Sequence, residues 1–566
     1  MKKQVITAAT LAFYCAFGLS AVAQRAGRPA AGAAAPLYDW ATDGGDGQRT
    51  GWNKDEKILT KSNIKDLTLL WKMETGNQVR ALHALMPVLV IGRLNTTAGP
   101  KQVGFVSGIS DNVYAFDVES GTMLWKKHWD YTPPAGRGGG GGPPPGGGSV
   151  LGGPNTAAAP RTTCAAPLAP GTMPQPPSQD PANLGFLGPG GSSDVPVIGP
   201  TDPQGRRPLY FVTGDGMLRT IDAATGEEIA PAFCFAPGKG WALNLFHDMI
   251  WMPHGGSISA TLLDDPKHNV MTFNAGSGGM WGRRGAALDS TGTAWSTTGD
   301  GTYNPENFQF GNSLAGVSVE NGRMQMKDYF TPRNWDWLRK RDLDPNNTPT
   351  IFTYKGRELL AASGKECRVY LIDPKFAGGD DHMTPLYKTA LFCNEEVDFQ
   401  DMGSWGALST WQDAAGTRWV LAPFWGPVHS QFKAPIMNTP IPKDGGVAAF
   451  KVVEVAGKTQ LAPAWVSRDM QRGEPVIIAN GMVFGYGSGE ETKQSFPDIG
   501  LQFASKIRAS KSGHATIYVM DAQTGKELWS SGEQITSFNH FSGITVANGR
   551  VYLGTYDGAL WCFGVK

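Results

Sequence analysis

Short alternations of apolar and polar residues recur along the chain, and each leads into a turn that contains glycine. Positions 112–116, 217–221 and 516–520 alternate in this way. The phrases that follow read Asp117-Val-Glu-Ser-Gly-Thr-Met-Leu-Trp125, Asp222-Ala-Ala-Thr-Gly-Glu-Glu-Ile229 and Asp521-Ala-Gln-Thr-Gly-Lys-Glu-Leu-Trp529. Alternation with period two predicts β-strands, and glycine supplies the positive φ of a tight turn. Each copy is therefore predicted to be a strand, a turn and a second strand.

The copies predict a ring of repeated sheets, because one small sheet cannot bury its own face. Repeat ends fall at Trp71, Trp125, Ile229, Met326, Tyr387, Trp465 and Trp529. The stretch 241–279 is the candidate for a further, degenerate blade, and the tail 549–563 is expected to pair with the N-terminal strand near 67–72. The sequence thus predicts an all-β, eight-bladed propeller of four-stranded antiparallel blades, with seven blades as the alternative. The repeated Trp residues are expected to pack between blades.

Composition agrees with a turn-dense β protein and excludes one class of partner. Of 566 residues, 74 are Gly and 40 are Pro, while only 18% are charged. Such Gly and Pro usage is typical of many short strands joined by turns. The formal net charge is zero, and no basic run indicates nucleic-acid binding.

The N-terminus reads as a secretory signal at 1–23. Lys2 and Lys3 precede an apolar stretch, and Ala21-Val-Ala23 forms a small-x-small cleavage site before Gln24. We predict a disordered linker at 24–36 and one propeller domain at 37–566, with a floppy Gly/Pro-rich insertion at about 132–192. The prediction is a periplasmic or secreted protein with no membrane span.

Cysteine usage bears on the redox compartment. Five cysteines follow the signal, so an oxidising compartment leaves at least one unpaired within the chain. Cys367 with Cys393 is the predicted disulfide. No Cys-x-x-Cys-His is present, which excludes a covalently attached c-type haem.

Candidate chemistry concentrates in 274–375, where an aromatic residue, two carboxylates and a cation follow one another. They are Trp281, Asp300, Asp336 and Lys365. A carboxylate pair beside a cation can bind a hard metal such as Ca²⁺ or abstract a proton. Each residue also has a structural interpretation: Asp300 lies in a Thr-Gly-Asp-Gly turn that recurs at 213–216, and Trp281 can be blade packing.

At these residues the chain resembles the quinoprotein alcohol dehydrogenases, which use pyrroloquinoline quinone (PQQ) and Ca²⁺. The resemblance begins at Trp40-Ala-Thr-Asp-Gly-Gly-Asp46 and spans nearly the whole mature chain. It implies that Trp281 forms the floor under the quinone and that Asp300 ligates the metal where the family has Asn. Asp336 of the Trp335-Asp336 pair would be the catalytic base at the metal, and Lys365 would touch the quinone oxygens.

Two features differ from the family pattern. No Glu lies between Glu228 and Glu306, where the family has a metal ligand, and no two cysteines are adjacent to cap the quinone. The resemblance implies an enzyme that oxidises an alcohol or sugar hydroxyl and passes electrons to a separate acceptor such as a cytochrome. The alternatives are a non-catalytic propeller scaffold of the outer-membrane assembly type and a module that binds a carbohydrate in its channel.

Overall fold

A computed structural model describes residues 37–79, 82–130, 153–158, 162–164, 194–237, 240–265, 267–393, 402–493, 495–496, 501–502 and 505–566. The predicted signal at 1–23 and linker at 24–36 lie outside these residues, as does most of the predicted insertion. From Leu37 to Lys566 the chain is one compact unit. Within the described residues, no helix is long and apolar enough to cross a membrane.

The predicted eight-bladed propeller is confirmed. In strand order, blade 1 consists of Leu89–Thr96, Gly99–Gly108, Asn112–Asp117 and Met123–His128, and blade 2 consists of Val197–Ile198, Pro208–Val212, Met217–Asp222 and Glu228–Cys234. Blade 3 consists of Asn244–Phe246, Met249–His254, Ser257–Leu262 and Val270–Asn274. The first strand of blade 4 is split into Met280–Trp281 and Ala287–Leu288, and Ala294–Thr298, Leu314–Glu320 and Arg323–Phe330 follow it. Blade 3 is the degenerate repeat predicted at 241–279.

Blades 5 to 8 complete the ring. Blade 5 consists of Thr350–Tyr354, Arg357–Ser363, Val369–Ile372 and Tyr387–Lys388, and blade 6 of Ser409–Gln412, Arg418–Trp425, Gly445–Val455 and Lys458–Val466, with Ile436–Met437 at its edge. Blade 7 consists of Ile477–Ala479, Met482–Gly487, Thr516–Asp521 and Glu527–Ser530, with Trp52–Asn53 at its edge. Blade 8 consists of Ile544–Ala547, Arg550–Gly554, Ala559–Gly564 and Thr68–Glu74. Strand Thr68–Glu74 pairs antiparallel with Ala559–Gly564, which confirms the predicted closure by the chain ends. Closure removes the free sheet edges that invite aggregation.

Few other elements are present in the described residues. The helices are α1, Trp335–Arg339, and α2, Ser505–Lys511, and 3-10 turns cover Ile64–Asp66, Pro305–Asn307 and Gly379–Asp381. Two short hairpins pair Tyr303–Asn304 with Gln309–Phe310 and Ser495–Phe496 with Leu501–Gln502.

The first strand of each blade lies towards the ring axis, as burial shows. Ile477–Ala479 and Ile544–Ala547 are wholly buried, whereas no residue of the fourth strands Met123–His128 and Glu527–Ser530 is fully buried. Because strands alternate in direction, each second strand starts on one face of the ring and ends on the other. This alternation decides which loops meet.

Tryptophan links neighbouring blades through the repeated phrase. The indole Nε1 at the end of one blade donates a hydrogen bond of 3.0–3.1 Å to the next blade, just after its repeat Asp: Trp71 to Val118 O, Trp125 to Ala223 O and Trp465 to Ala522 O. The repeat glycine has a φ of 68–77° at these three turns, and a Cβ there would fall 2.4–2.8 Å from the indole. Glycine is therefore needed twice, for the turn and for the docked ring.

The range predicted as a floppy insertion contains two ordered pieces. Strand Gly153–Ala158 pairs with Val270–Asn274 and, at one residue, with Arg323–Phe330, so it joins the outer edges of blades 3 and 4. Cys164 forms a disulfide with Cys234 that the sequence did not reveal. The predicted disulfide Cys367–Cys393 is confirmed, and Cys562 is a buried free thiol.

Candidate metal and redox site

One face of the ring brings together three carboxylates and one ammonium. Asp300 directly follows the second strand of blade 4, and Lys365 follows the second strand of blade 5. Asp342 and Asp344 lie on the connection between these blades. All four residues lie on the same face of the ring, because second strands and fourth strands both end on that face.

The three carboxylates are close enough to share one ion. A ligand oxygen from each of Asp300, Asp342 and Asp344 lies within 4.8 Å of the others. Lys365 Nζ lies 2.8 Å from Asp344 Oδ1 and also pairs with Asp342. Asp344 and Lys365 are 2% and 5% exposed, respectively, whereas Asp300 and Asp342 both reach solvent at the mouth of the cluster. We call these four residues the acid cluster.

The acid cluster carries more negative charge than Lys365 can neutralise. Burial, followed by the charge of Asp344, raises the pKa of Asp300 to about 9. Burial also raises the pKa of Asp344, although Lys365 opposes the shift. Burial alone would lower the pKa of Lys365, but the charges of Asp344 and Asp342 outweigh it and the pKa is raised. Without a further cation, the cluster therefore retains a proton at neutral pH.

Trp281 borders this cluster. A Cβ added to Gly299 would fall 2.3 Å from Trp281 Nε1 and 3.0 Å from Asp344 Oδ2, so only glycine fits between the indole and the carboxylate. The ring centroid of Trp281 lies 5.4 Å from that of Trp241 and 5.7 Å from that of Trp405. The structure thus brings Trp281, Asp300 and Lys365 together, three of the four residues singled out from the sequence.

Asp336 lies apart from them, on α1 at the protein surface. Its carboxylate accepts hydrogen bonds from Arg339 Nε at 2.8 Å and Lys340 Nζ at 2.6 Å. These bonds lower the pKa of Asp336, with Lys340 contributing most. Two cations thus hold the carboxylate predicted to be the base.

Asp342 and Asp344 are the members of the cluster that sequence reasoning missed. The signal available in the sequence was Asp342-Leu-Asp344 itself, that is, two carboxylates on either side of one buried leucine. The resemblance assigned the catalytic base to Asp336 instead, because the Trp335-Asp336 pair matches the family's phrase and lies only six residues upstream of Asp342.

A second buried polar group lies among the loops on the same face. His540 Nδ1 is 2.5 Å from Glu490 Oε2, and Arg508 of α2 also pairs with Glu490. Burial raises the pKa of Glu490 to about 7, against the opposing charge of Arg508. Phe541 stacks on Trp405 at 4.5 Å, and Trp405 contacts Trp281, so aromatic rings connect the two polar groups.

Known structures match this architecture across nearly the whole chain. No family model matches, and no curated protein matches. Quinohemoprotein alcohol dehydrogenase from Comamonas testosteroni aligns with a TM-score of 0.52 and 13% identity over 94% of this chain and 81% of that one. The likeness is one of fold.

Two further structures agree with it. A europium-containing methanol dehydrogenase gives a TM-score of 0.53 at 13% identity, covering 94% of this chain and 98% of that one. Quinohemoprotein alcohol dehydrogenase ADHIIG from Pseudomonas putida HK5 gives 0.52 at 12% identity, covering 93% and 80%. The chain therefore has the propeller of these quinoprotein dehydrogenases, at low identity.

The acid cluster fits a hard cation. Carboxylate oxygens are the ligands that Ca²⁺ prefers, and three carboxylates converge here. The ammonium of Lys365 offsets part of the repulsion between them. The fit to a quinone differs. The cavity bounded by His83, Trp241, Arg283 and Phe541 has a volume of about 10 Å³, which is room for about one water molecule. A flat cofactor enters there only if aromatic side chains move.

Proposed function

We propose that the acid cluster binds a hard metal ion and that the chain is an exported dehydrogenase of the quinoprotein type. Its substrate would be an alcohol or sugar hydroxyl, and a separate acceptor such as a cytochrome would take the electrons. The observation that carries this proposal is the convergence of Asp300, Asp342 and Asp344 on Lys365 beside Trp281. The similar structures support it, since two are alcohol dehydrogenases and the third is a europium-containing methanol dehydrogenase.

The charge of the cluster sets the choice of ion. Three ionised carboxylates and one ammonium leave a charge of −2, which a di- or trivalent cation offsets. One similar structure is a europium-containing enzyme, and three carboxylates match such a highly charged ion. We propose Ca²⁺ or a trivalent lanthanide, with Asp300 and Asp344 as ligands and release of the Asp300 proton on binding.

The remaining carboxylate and the lysine would serve the reaction. Asp342 reaches solvent, so we propose that it accepts the proton of the substrate hydroxyl. Lys365 is buried and charged, which suits it to stabilise an oxygen that gains negative charge. PQQ, when bound, would supply the two-electron acceptor. In this proposal the base is Asp342, whereas Asp336, which is held by Arg339 and Lys340, stays a sequence prediction.

The cation can be tested without turnover. Trp281 approaches the cluster closely enough to sensitise Tb³⁺ luminescence after indole excitation. We expect saturable Tb³⁺ emission that Ca²⁺ or La³⁺ displaces, and at least about a tenfold loss of affinity in Asp344→Asn, equal to about 1.4 kcal/mol. Asp336→Asn is the matched control, because it removes a carboxylate outside the cluster and should leave the emission unchanged.

Turnover is tested next with the metal-loaded protein, PQQ, a reducible dye and a panel of alcohols and sugars. We expect dye reduction that Asp342→Asn abolishes and Asp336→Asn retains. The reverse pattern would restore Asp336 as the base. Cation binding without dye reduction would point to a metal-stabilised scaffold, and absence of both would leave the non-catalytic propeller as the better description.

Export belongs to the same proposal. Two disulfides, Cys164–Cys234 and Cys367–Cys393, support an oxidising compartment. We expect the mature chain to begin at Gln24 when the protein is produced with its signal, which N-terminal sequencing of the periplasmic or secreted fraction checks. An intact Met1 in that fraction would contradict the cleavage site.

A further inference from the structure

A ligand-sized groove lies on the face of the ring opposite the acid cluster. Its volume is about 410 Å³, within the range of about 300–1,000 Å³ that is typical of small-molecule sites. The groove is bordered by Asp413 and by Asn480, which lie in the turns that lead into the second strands of blades 6 and 7. Second strands start on this face and end on the other, so the groove and the acid cluster are separate sites.

Lysine dominates the charge of the groove. Lys54, Lys57 and Lys61 line it, and all three are exposed. Lys61 Nζ is 2.5 Å from Asp521 Oδ2, so one of the three positive charges is compensated. Among the described residues no carboxylate pairs with Lys54 or Lys57: Lys54 lies over the Trp52 ring, and Lys57 Nζ donates to Lys54 O at 2.6 Å. Their charges are therefore the ones that a ligand meets.

The acid in the groove wall is already engaged. Asp413 accepts hydrogen bonds from Trp419 Nε1 at 3.0 Å and Gln523 Nε2 at 3.3 Å. Burial raises the pKa of Asp413, but these and backbone hydrogen bonds outweigh it and lower the pKa overall. Asp413 is therefore charged but directed into the protein framework, and the groove keeps a net attraction for anions.

Aromatic and amide groups complete the lining. The Trp52 ring has Lys54 Nζ 4.9 Å from its centroid and the Arg418 guanidinium 5.7 Å from it, so cations flank this indole. Trp411 forms a buried wall, and the amides of Gln412, Asn480 and Gln523 lie around the opening. Each amide already donates one hydrogen bond within the protein, to Gly416 O, Leu59 O and Asp413 Oδ2, respectively, so its second N–H is the one that a ligand would meet. Amides both donate and accept hydrogen bonds, as hydroxyl groups do.

We propose that this groove binds an acidic saccharide, that is, a sugar chain that carries carboxylates. The lysines match the carboxylates, the amides match the hydroxyls, and the indoles that line the groove match the C–H groups of sugar rings. A neutral sugar would leave the ammonium groups without a counter-charge, and a small anion such as citrate would leave the indole and amide walls unused. The site is independent of the metal and redox proposal.

The test uses the full mature chain and three probes. These are a galacturonic acid tetramer, a neutral glucose tetramer and citrate, each titrated by calorimetry and by the fluorescence of the groove tryptophans. We expect the acidic tetramer to bind at least tenfold more tightly than either other probe. The double variant Lys54→Gln/Lys57→Gln should lose at least tenfold in that affinity, and added salt should weaken binding.

The control variant Lys355→Gln/Lys375→Gln removes the same charge from exposed positions of blade 5 and should bind like the unmodified chain. Folding of every variant is checked by circular dichroism and by urea unfolding, neither of which depends on the acid cluster. Absence of binding overturns the proposal, as does equal affinity for citrate or the neutral tetramer. Equal losses in the two double variants also overturn it, because they would reflect net charge alone.

Discussion

Replacing Lys365 by methionine tests the electrostatics of the acid cluster directly. Lys365 pairs with both Asp342 and Asp344, and it is 5% exposed. Methionine keeps much of the volume of the side chain but removes its charge. The carboxylates then face one another without a counter-ion, so the folded state should lose stability and the affinity for a cation should rise.

The magnitude follows from burial. Removing one partner of a buried ion pair costs about 3–5 kcal/mol, and the low end applies here because Asp342 reaches solvent. We therefore expect Lys365→Met to lower the free energy of unfolding by about 3 kcal/mol at pH 8 in the presence of a chelator. The loss should shrink at pH 5, since a carboxyl such as Asp344, whose pKa is raised, takes up a proton and relieves the repulsion.

Urea unfolding followed by tryptophan fluorescence measures this, with chelator and with La³⁺. A cation at about a hundred times its Kd should restore about 2.7 kcal/mol. Lys340→Met is the matched control, because Lys340 pairs with Asp336 at the surface and its loss should cost less than about 1 kcal/mol. Equal losses in the two variants, or a Lys365→Met loss that neither acid nor La³⁺ reduces, would refute the electrostatic reasoning.

Cation affinity should rise about tenfold per pH unit between pH 6 and 8, because binding displaces the proton of Asp300, whose pKa is about 9; terbium titrations measure it. Gly525→Ala should lower the free energy of unfolding by about 1–3 kcal/mol more than Gly457→Ala, because both glycines have positive φ but only Gly525 lies against an indole. Loss of the Cys367–Cys393 disulfide, which spans 26 residues, should cost about 3.5 kcal/mol in the chain-entropy description; urea unfolding measures both.

Each of these has a contrary result. A pH-independent affinity, or one equally steep in Asp300→Asn, would show that Asp300 holds no proton to displace. Without metal, the Asp300 contribution to stability should fall as pH rises from about 4 to about 9, since the unfolded carboxyl ionises first. Equal losses of unfolding free energy in Gly525→Ala and Gly457→Ala would show that contact with the docked tryptophan does not account for the need for glycine at position 525. A Cys367→Ser/Cys393→Ser variant as stable as its parent would show that this disulfide does not stabilise the fold.

The architecture was predictable because its signals are local and repeated. Apolar alternation, the Asp-x-x-Thr-Gly turn and the Trp that follows each lie within ten residues, and the structure uses them as read: Gly525 forms the turn and Trp465 docks on it. Even closure by Thr68–Glu74 followed from the missing outer strand of the last repeat.

The site was harder to predict because its residues converge from separate loops. Trp281, Asp300 and Lys365 were found through strand ends and a family resemblance, and they do meet. Asp342 and Asp344 were missed because their one local signal, a spacing of two residues around Leu343, does not by itself indicate a metal site. Only their approach to Lys365, set by how blades 4 and 5 pack, gives these two carboxylates their chemistry.

Closure of the ring has a consequence for the order of assembly. The strand Thr68–Glu74 is made long before its partner Ala559–Gly564, because almost the whole propeller lies between them along the sequence. Blade 8 therefore stays incomplete until residues 559–564 have been synthesised, and the ring cannot close before then.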